Sequence, residues 1–262
     1  MNENPILTIL IPAFNEALRL PDTLRKIHDF CKSSLTDSYE ILVVDDGSTD
    51  ETIRLLQTIP VPNLTLHGYD INRGKGHALR YGMQLAKGRY IVFMDADLST
   101  PIEELNKFLP PLKEGNHVVI GTRKGREARI LKHQPLWRES MGRVFTSLSN
   151  WILGLSFSDF TCGFKGFQAD AGKDIFSRQK IDGWAYDSEI LFLAKRAGYR
   201  ISEIPVTWIN SADSKVQPAR AAFSSLLGLL QIRWNWHSGK YKRSDRKEPL
   251  ETVTLGRERG TK

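Results

Sequence analysis

Three short apolar runs, each opening into a polar and acidic cluster, constrain this chain more than any other feature of its sequence. Residues 6–11 lead into Pro12, Asn15 and Glu16; residues 40–44 lead into Asp45, Asp46, Gly47, Ser48, Thr49 and Asp50; residues 90–94 lead into Asp95, Ala96, Asp97, Leu98, Ser99 and Thr100. Apolar runs of this length, bounded by turn-forming residues, read as buried strands. Amphipathic stretches separate them. Residues 17–31 set Leu18, Leu24 and Ile27 on an inner side, Ser48 or Thr49 can cap the next helix, and 76–86 form a third. Strand and helix alternating at this spacing predict an α/β fold, a mostly parallel sheet with helices on both faces. In such a sheet ligands bind beyond the carboxyl ends of the strands, where all three clusters fall.

Residues 64–68 read as a further strand, Pro101 as the opening of another helix, and 118–121 as a strand again. Past Gly121 the rhythm changes. A polar stretch over 123–134 precedes Trp137, Met141, Val144, Leu148, Trp151 and Leu155, spaced along one helical face. A helix over 186–197 and a strand over 201–208 follow, then a last stripe of Phe223, Leu226, Leu227, Leu230 and Trp234. At 262 residues the chain can bury one sizeable core. The simplest division is one domain over 1–238 with a C-terminal amphipathic helix, and a basic tail over 239–262 that is expected to be disordered.

Hydrophobic residues at 40% and charged residues at 26% fit a folded soluble protein. No run approaches the ~20 apolar residues of a membrane span, and no signal-like opening is present. The chain is therefore expected in the cytoplasm or on a membrane surface. Cys31 and Cys162 lack metal-ligand spacing and read as reduced, packed thiols. The net charge of +7 is uneven, with eight Lys/Arg against four Asp/Glu between 240 and 262. Such a tail suits anionic lipid or nucleic acid, or stays solvated. A nucleic-acid module would leave the acidic strand ends unexplained, so no nucleic-acid partner is expected.

Adjacent carboxylates repel unless a cation or donor groups hold them. Mg²⁺ and Mn²⁺ take oxygen ligands, often one or two carboxylates completed by substrate phosphates. Asp50 alone reads as a helix cap, but Asp95 with Asp97 exceeds what capping needs. The clusters are expected to converge on one cleft around one cation.

In this order the strings PAFNE, VVDDGSTD and FMDADLS resemble family 2 glycosyltransferases of the GT-A fold, whose sheet is Rossmann-like. The resemblance continues through NRGKGHALRYGMQLAKG, Gly121 to Arg123, DFTCGFKGF, WAYDSEILFLAKRAG, EIPVTW, SADSKV and IRWNWHSGKY, covering roughly residues 6 to 241. The later strings look most like polyprenyl-phosphate sugar synthases, especially the dolichyl-phosphate glucosyltransferase branch. That resemblance implies an inverting, metal-dependent hexosyltransferase that moves sugar from a nucleotide-sugar to a polyprenyl phosphate.

Carried over by position, Pro12, Asn15, Glu16, Asp45 and Asp46 would line the nucleoside end of the donor. Asp95 and Asp97 would be the DxD pair and hold Mg²⁺ or Mn²⁺, with Asp97 the better ligand. Lys75 and Lys215 would lie near the donor diphosphate, while Arg123 and Arg138 would face acceptor phosphate. Asp159 is the candidate base, and pairing with a nearby cation is the competing reading. Leu98-Ser99-Thr100 departs from the Gly-Ala-Thr common in glucose-type relatives, and mannose-type relatives commonly carry Gln at the position of Ser99. UDP-glucose is the favoured donor, with GDP-mannose and UDP-N-acetylhexosamine open; a soluble or glycan acceptor is the alternative to the lipid.

The two apolar stripes suit core packing by themselves. Beside Arg138, Arg143, Lys240, Lys242 and Arg243 they also suit a membrane interface. With the resemblance added, the expectation is a peripheral enzyme on the cytoplasmic face of a membrane. A separate membrane protein, an anchor or a flippase, is then a conceivable partner.

Overall fold

A computed structural model describes residues 4–132, 134–210, 218–242 and 253–254. In chain order the first half holds β1 (Leu7–Ala13), α1 (Leu20–Ser34), β2 (Tyr39–Asp46), α2 (Thr52–Thr58), β3 (Leu64–Tyr69), α3 (Lys75–Leu85) and β4 (Tyr90–Phe93). A 3-10 turn (Ile102–Glu104) leads into α4 (Leu105–Lys113) and β5 (Val118–Thr122). The second half holds β6 (Arg129–Lys132), α5 (Leu136–Leu153), β7 (Lys165–Gln168), α6 (Ala169–Arg178), α7 (Tyr186–Arg196), β8 (Ile201–Pro205), β9 (Thr207–Ile209), α8 (Pro218–His237) and β10 (Val253–Thr254).

Eight strands form one sheet in the order β10-β3-β2-β1-β4-β7-β5-β8. Strands β3, β2, β1 and β4 run parallel, β7 lies antiparallel between β4 and β5, and β8 is again parallel to β5. Because helices cover both faces, the central strands are apolar on both sides. Ile9 and Ile11 pack with α1, α2 and α4, while Leu10, Val44 and Ile91 pack with residues of α3, α6 and α7. The α/β fold with a mostly parallel sheet is the one expected.

The differences have local causes. Helix α1 starts at Leu20 with Pro21 in its first turn, so Leu18, assigned to an inner face, stands before the helix and is fully exposed. Ser48 and Thr49 do not cap α2. They bond instead to Asn15, and Asp50 accepts from the Thr52 amide at 3.0 Å. The strand expected over 201–208 breaks after Pro205, where β9 leaves the sheet to pair with β6. Strands β6 and β7 and helix α6 were not anticipated. The tail beyond Lys242 lies outside the described residues except for Val253 and Thr254, which pair antiparallel with β3.

Candidate active site

The register of β1 sets Ala13 opposite Asp45 and Leu10 opposite Phe93. The acidic tips of β2 and β4 therefore flank the tip of β1 on one edge of the sheet. Asn15 sits there at φ +56°, a conformation Asn tolerates better than most residues. Its amide N–H donates to Ser48 Oγ at 2.8 Å, and its Oδ1 accepts from the Thr49 amide at 2.8 Å. Glu16 donates its amide to Thr52 Oγ1 at 2.8 Å and pairs through its carboxylate with Arg19. Both residues thus stitch the β1 tip to the β2 tip beside Pro12.

Asp45 and Asp46 are adjacent and buried but differently satisfied. Asp46 accepts from Tyr69 Oη at 2.7 Å, Asn72 Nδ2 at 3.0 Å, and the amides of Arg73 and Gly74 at 2.8 and 2.9 Å. It anchors the loop before α3. Asp45 accepts from the Ser48 amide at 2.9 Å through Oδ2, while its Oδ1 has no hydrogen-bond partner among the described residues. Burial, reinforced by the neighbouring Asp46 charge, raises the Asp45 carboxyl above its ordinary range despite the Ser48 hydrogen bonds.

The loop held by Asp46 delivers Lys75, whose ammonium pairs with Asp95 Oδ1 across the edge. Burial works against the charged lysine, but the Asp95 carboxylate outweighs it and holds Lys75 protonated well above the usual range. The flanking glycines answer to crowding. A Cβ on Gly74 or Gly76 would stand 2.8 Å from the Asp182 carbonyl oxygen, and Gly76 N–H donates to that oxygen at 2.9 Å. The crowding segment is itself fixed. Glu189, fully buried, accepts from the Lys180 and Ile181 amides at 3.0 and 2.9 Å and from Tyr241 Oη at 2.6 Å.

Asp95 and Asp97 follow β4 in a turn where Asp97 Oδ1 accepts from the Ser99 amide at 2.9 Å and Leu98 adopts φ +50°. The Ile209 amide of β9 donates to the Ser99 carbonyl at 2.8 Å, closing the turn from outside. Gly163 abuts Asp95 so closely that a Cβ there would fall 1.9 Å from Asp95 Oδ2. Behind it Lys165, fully buried in β7, donates to the Cys162 carbonyl at 2.6 Å and to Asp187 Oδ1 at 2.5 Å. Gly163, Lys165, Asp187, Glu189 and Tyr241 were missed from sequence. A lysine inside the apolar run 162–167 was the available signal, since a buried lysine requires a partner.

Asp159, 1% exposed, receives Arg123 through two parallel hydrogen bonds, Nε to Oδ2 at 2.7 Å and Nη2 to Oδ1 at 2.9 Å. The Thr161 amide donates to it as well, at 3.0 Å. Burial alone would raise its pKa, but the guanidinium overrides burial and holds the carboxyl far below the usual carboxylate range. Of the two readings weighed for Asp159, the structure displays the pairing. A carboxylate so occupied is a poor proton acceptor, so the geometry gives no support to its use as base. Arg123 also reaches Thr161 Oγ1 at 2.7 Å and lies 5.6 Å from the Trp208 ring centre. Arg138 stands in the first turn of α5, and Lys215 lies outside the described residues.

Among the described residues no three His, Cys, Asp or Glu side chains gather closely enough to hold a cation by themselves. The expected convergence of all the strand-tip acids on one ion is therefore corrected. Asp46 is taken up by its own loop, leaving Asp95 and Asp97 as a pair. Two carboxylates in one turn suit a hard divalent cation whose remaining ligands come from a bound diphosphate.

The glycosyl transferase family 2 model matches residues 8–176 of this chain. A dolichyl-phosphate beta-glucosyltransferase from Dictyostelium discoideum is 30% identical over 258 residues, spanning 92% of this chain and 79% of that protein. Among solved structures, mannosyl-3-phosphoglycerate synthase from Rubrobacter xylanophilus superposes with a TM-score of 0.66 at 17% identity, over 93% of this chain and 77% of that one. Glucosyl-3-phosphoglycerate synthase from Mycobacterium tuberculosis, solved with Mn²⁺, UDP-glucose and phosphoglyceric acid, superposes with a TM-score of 0.60 at 19% identity, over 87% and 79%. The strand-tip edge thus belongs to a known fold, and with well over half of its length under the family model this chain is a member of glycosyl transferase family 2.

Proposed function

We propose that the chain transfers glucose from UDP-glucose to dolichyl phosphate or a related polyprenyl phosphate, with inversion at the anomeric carbon, at the cytoplasmic face of a membrane. The observation that carries this reading is the shared edge of the β1, β2 and β4 tips, bridged by the Lys75–Asp95 ion pair. The activity named for the Dictyostelium relative supports the glucosyl donor, the lipid phosphate and the beta product.

Asp45, with a lone pair unspent, Asn15, Glu16 and Pro12 border the nucleoside end of the donor. Asp46 serves them indirectly by fixing the loop. Lys75 sits against the diphosphate, and Lys215 is proposed to join it. Asp95 and Asp97 would hold Mn²⁺ or Mg²⁺, which when bound neutralises charge on the departing diphosphate. Arg123, oriented by Asp159, and Arg138 meet the acceptor phosphate.

A phosphate monoester has its second pKa near ~6, so much of the acceptor is already dianionic at neutral pH. Its oxygen attacks the anomeric carbon as the bond to the UDP oxygen breaks, and UDP leaves with the electron pair. No proton need be removed, which is consistent with a paired Asp159. Positioning and charge stabilisation then account for most of the acceleration.

The test is a donor panel of UDP-glucose, GDP-mannose and UDP-N-acetylglucosamine. Purified protein is incubated with polyprenyl phosphate and Mn²⁺, and glycolipid product is scored. UDP-glucose alone is expected to give product, EDTA to abolish it, and Asp97→Ala to remove turnover while the fold persists. Transfer to phosphoglycerate but to no polyprenyl phosphate would overturn the acceptor assignment.

A further inference from the structure

A lysine inside a central strand is an uncommon choice. Lys165 of β7 lies in register between Phe93 of β4 and Ile120 of β5, fully buried, with its ammonium 5.5 Å from the Phe93 ring centre. It donates to the Cys162 carbonyl at 2.6 Å and to Asp187 Oδ1 at 2.5 Å. Asp187, in the first turn of α7, is buried as well. Charges taken out of water lose about as much as their mutual attraction restores, and apolar residues of similar volume are often as stable in their place or more so. Stability is therefore a weak reason for a cation at this position, and the surroundings of the pair supply a better one.

The segment it holds joins the two sides of the candidate site. Residues 159–163 begin at Asp159, which grips Arg123, and end at Gly163, against which Asp95 rests. The segment is wedged between strand ends. Gly121 donates its amide to the Phe164 carbonyl at 2.9 Å, and a Cβ on Gly121 would stand 2.7 Å from Cys162 Sγ. On the other side Cys162 Sγ lies 4.0 Å from Thr100 Oγ1, just past the turn of Asp95 and Asp97. The Lys165 ammonium binds the carbonyl one residue before Gly163, so it fixes the segment where it meets Asp95. Asp187 fixes the ammonium in turn, from the helix that follows residues 181–183.

The Asp187 charge also acts on both sides. Burial opposes the charge on Lys75, where Asp95 leads in sustaining it and Asp187 adds to the effect. Burial likewise opposes the charge on Arg123, where Asp159 leads and Asp187 again adds.

We propose that Lys165, with Asp187 as its counter-ion, is a positioning residue that sets Asp95 against Arg123, and with them the departing diphosphate against the attacking phosphate. Neither side chain touches substrate. A misplacement of about 1 Å can cost ~100-fold in rate, so the pair acts on turnover more than on donor affinity. The inference rests on the proposed roles of Asp95 and Arg123 and goes beyond them by naming what keeps the two at a fixed separation.

Three full-length variants are compared with wild type in kcat and KM for UDP-glucose, in Tm, and in the electron paramagnetic resonance spectrum of Mn²⁺ bound with UDP and no acceptor. Lys165→Met breaks the pair. Lys165→Met/Asp187→Leu replaces it with an apolar pair and is expected to recover the Tm that the single variant loses. Asp187→Asn keeps an acceptor for the ammonium. The double variant should lose about 10- to 100-fold in kcat while KM for UDP-glucose changes less than ~3-fold. Its Mn²⁺ spectrum should differ from wild type because Asp95 is displaced. Asp187→Asn should regain most of the lost turnover and the wild-type spectrum. A double variant with wild-type kcat and spectrum overturns the inference. So does activity that follows Tm across the three variants with an unchanged spectrum, since the pair is then part of the fold alone. Asp187→Asn as inactive as the double variant at wild-type Tm overturns it too, by making the Asp187 charge a direct participant. Should the double variant not fold, Lys165→Met, kept below its own Tm, is read by the same criteria. The spectrum needs neither acceptor nor turnover, so a wild type that makes no glycolipid counts against the proposed reaction while the spectrum still decides the role of Lys165.

Discussion

Lys75 and Asp95 form an ion pair that ties the start of α3 to the end of β4, bridging two loops of the site. Because Asp95 holds the lysine protonated well above its ordinary range, Lys75 stays a cation throughout the neutral range. Hydrogen bonds to charged groups contribute about 1.5–3 kcal/mol. Lys75→Met is therefore expected to weaken binding of UDP with Mn²⁺ about 10- to 100-fold. The loss should be flat from pH 6 to 9. Calorimetric titration of UDP checks it, and an unchanged affinity removes Lys75 from the diphosphate.

Two glycines should fail in different ways. The atoms nearest a Cβ on Gly163 are those of the Asp95 carboxylate, the end of a side chain, whereas one on Gly76 meets the Asp182 and Ile181 carbonyls and Tyr186 Cβ, all within 2.9 Å. Gly163→Ala is expected to keep its melting temperature nearly intact and lose more than ~10-fold in cation-dependent activity through a displaced Asp95. Gly76→Ala should be destabilised by about 1–3 kcal/mol, the usual cost of overpacking. Thermal unfolding and Mn²⁺ titration of both variants distinguish the cases. Equal loss of stability in the two contradicts the assignment.

The Arg123–Asp159 pair makes a pH-dependent contribution. Asp159 titrates lower in the folded chain than in the unfolded one, so its stabilisation is complete above the unfolded value of about 3.9. It is lost progressively as pH falls toward the folded value. Asp159→Asn is expected to cost on the order of 2 kcal/mol at pH 7, less than a fully buried pair because Arg123 keeps a quarter of its side chain exposed. The difference from wild type should shrink steadily below about pH 4. Urea unfolding at pH 7 and pH 3 measures this, and a difference that grows in acid refutes the sign.

Tyr241 donates to a carboxylate that is fully buried, so Tyr241→Phe leaves Glu189 with two backbone donors where it had three. A buried acceptor losing one partner costs about 1–3 kcal/mol. The melting temperature is expected to fall accordingly. The donor KM should also rise, since Glu189 fixes the segment that crowds Gly74 and Gly76. A fall in stability with donor KM unchanged limits Tyr241 to a structural part.

Local periodicity alone made the central strands, most of the helices and the three acidic tips legible, because an apolar run ending in turn residues has one economical fold. The order of the strings identified the family for the same reason: each carries its chemistry at a strand end. What required the tertiary structure was partnership. Asp45 and Asp46 are neighbours in sequence, yet Tyr69 and Arg73, more than twenty positions away, occupy Asp46, while Asp45 Oδ1 has no partner among the described residues. Arg123 and Asp159, read separately as a phosphate ligand and a base, are one hydrogen-bonded unit. Gly74 and Gly76, on either side of Lys75, are small because residues 181–183 press on them. The α5 stripe, with Trp137, Val144 and Trp151 exposed, shows the limit most plainly, because a 3.6-residue period establishes that a helix has an apolar face and cannot say what covers it. Which atoms meet depends on contacts between segments far apart in the chain, and no local pattern encodes them.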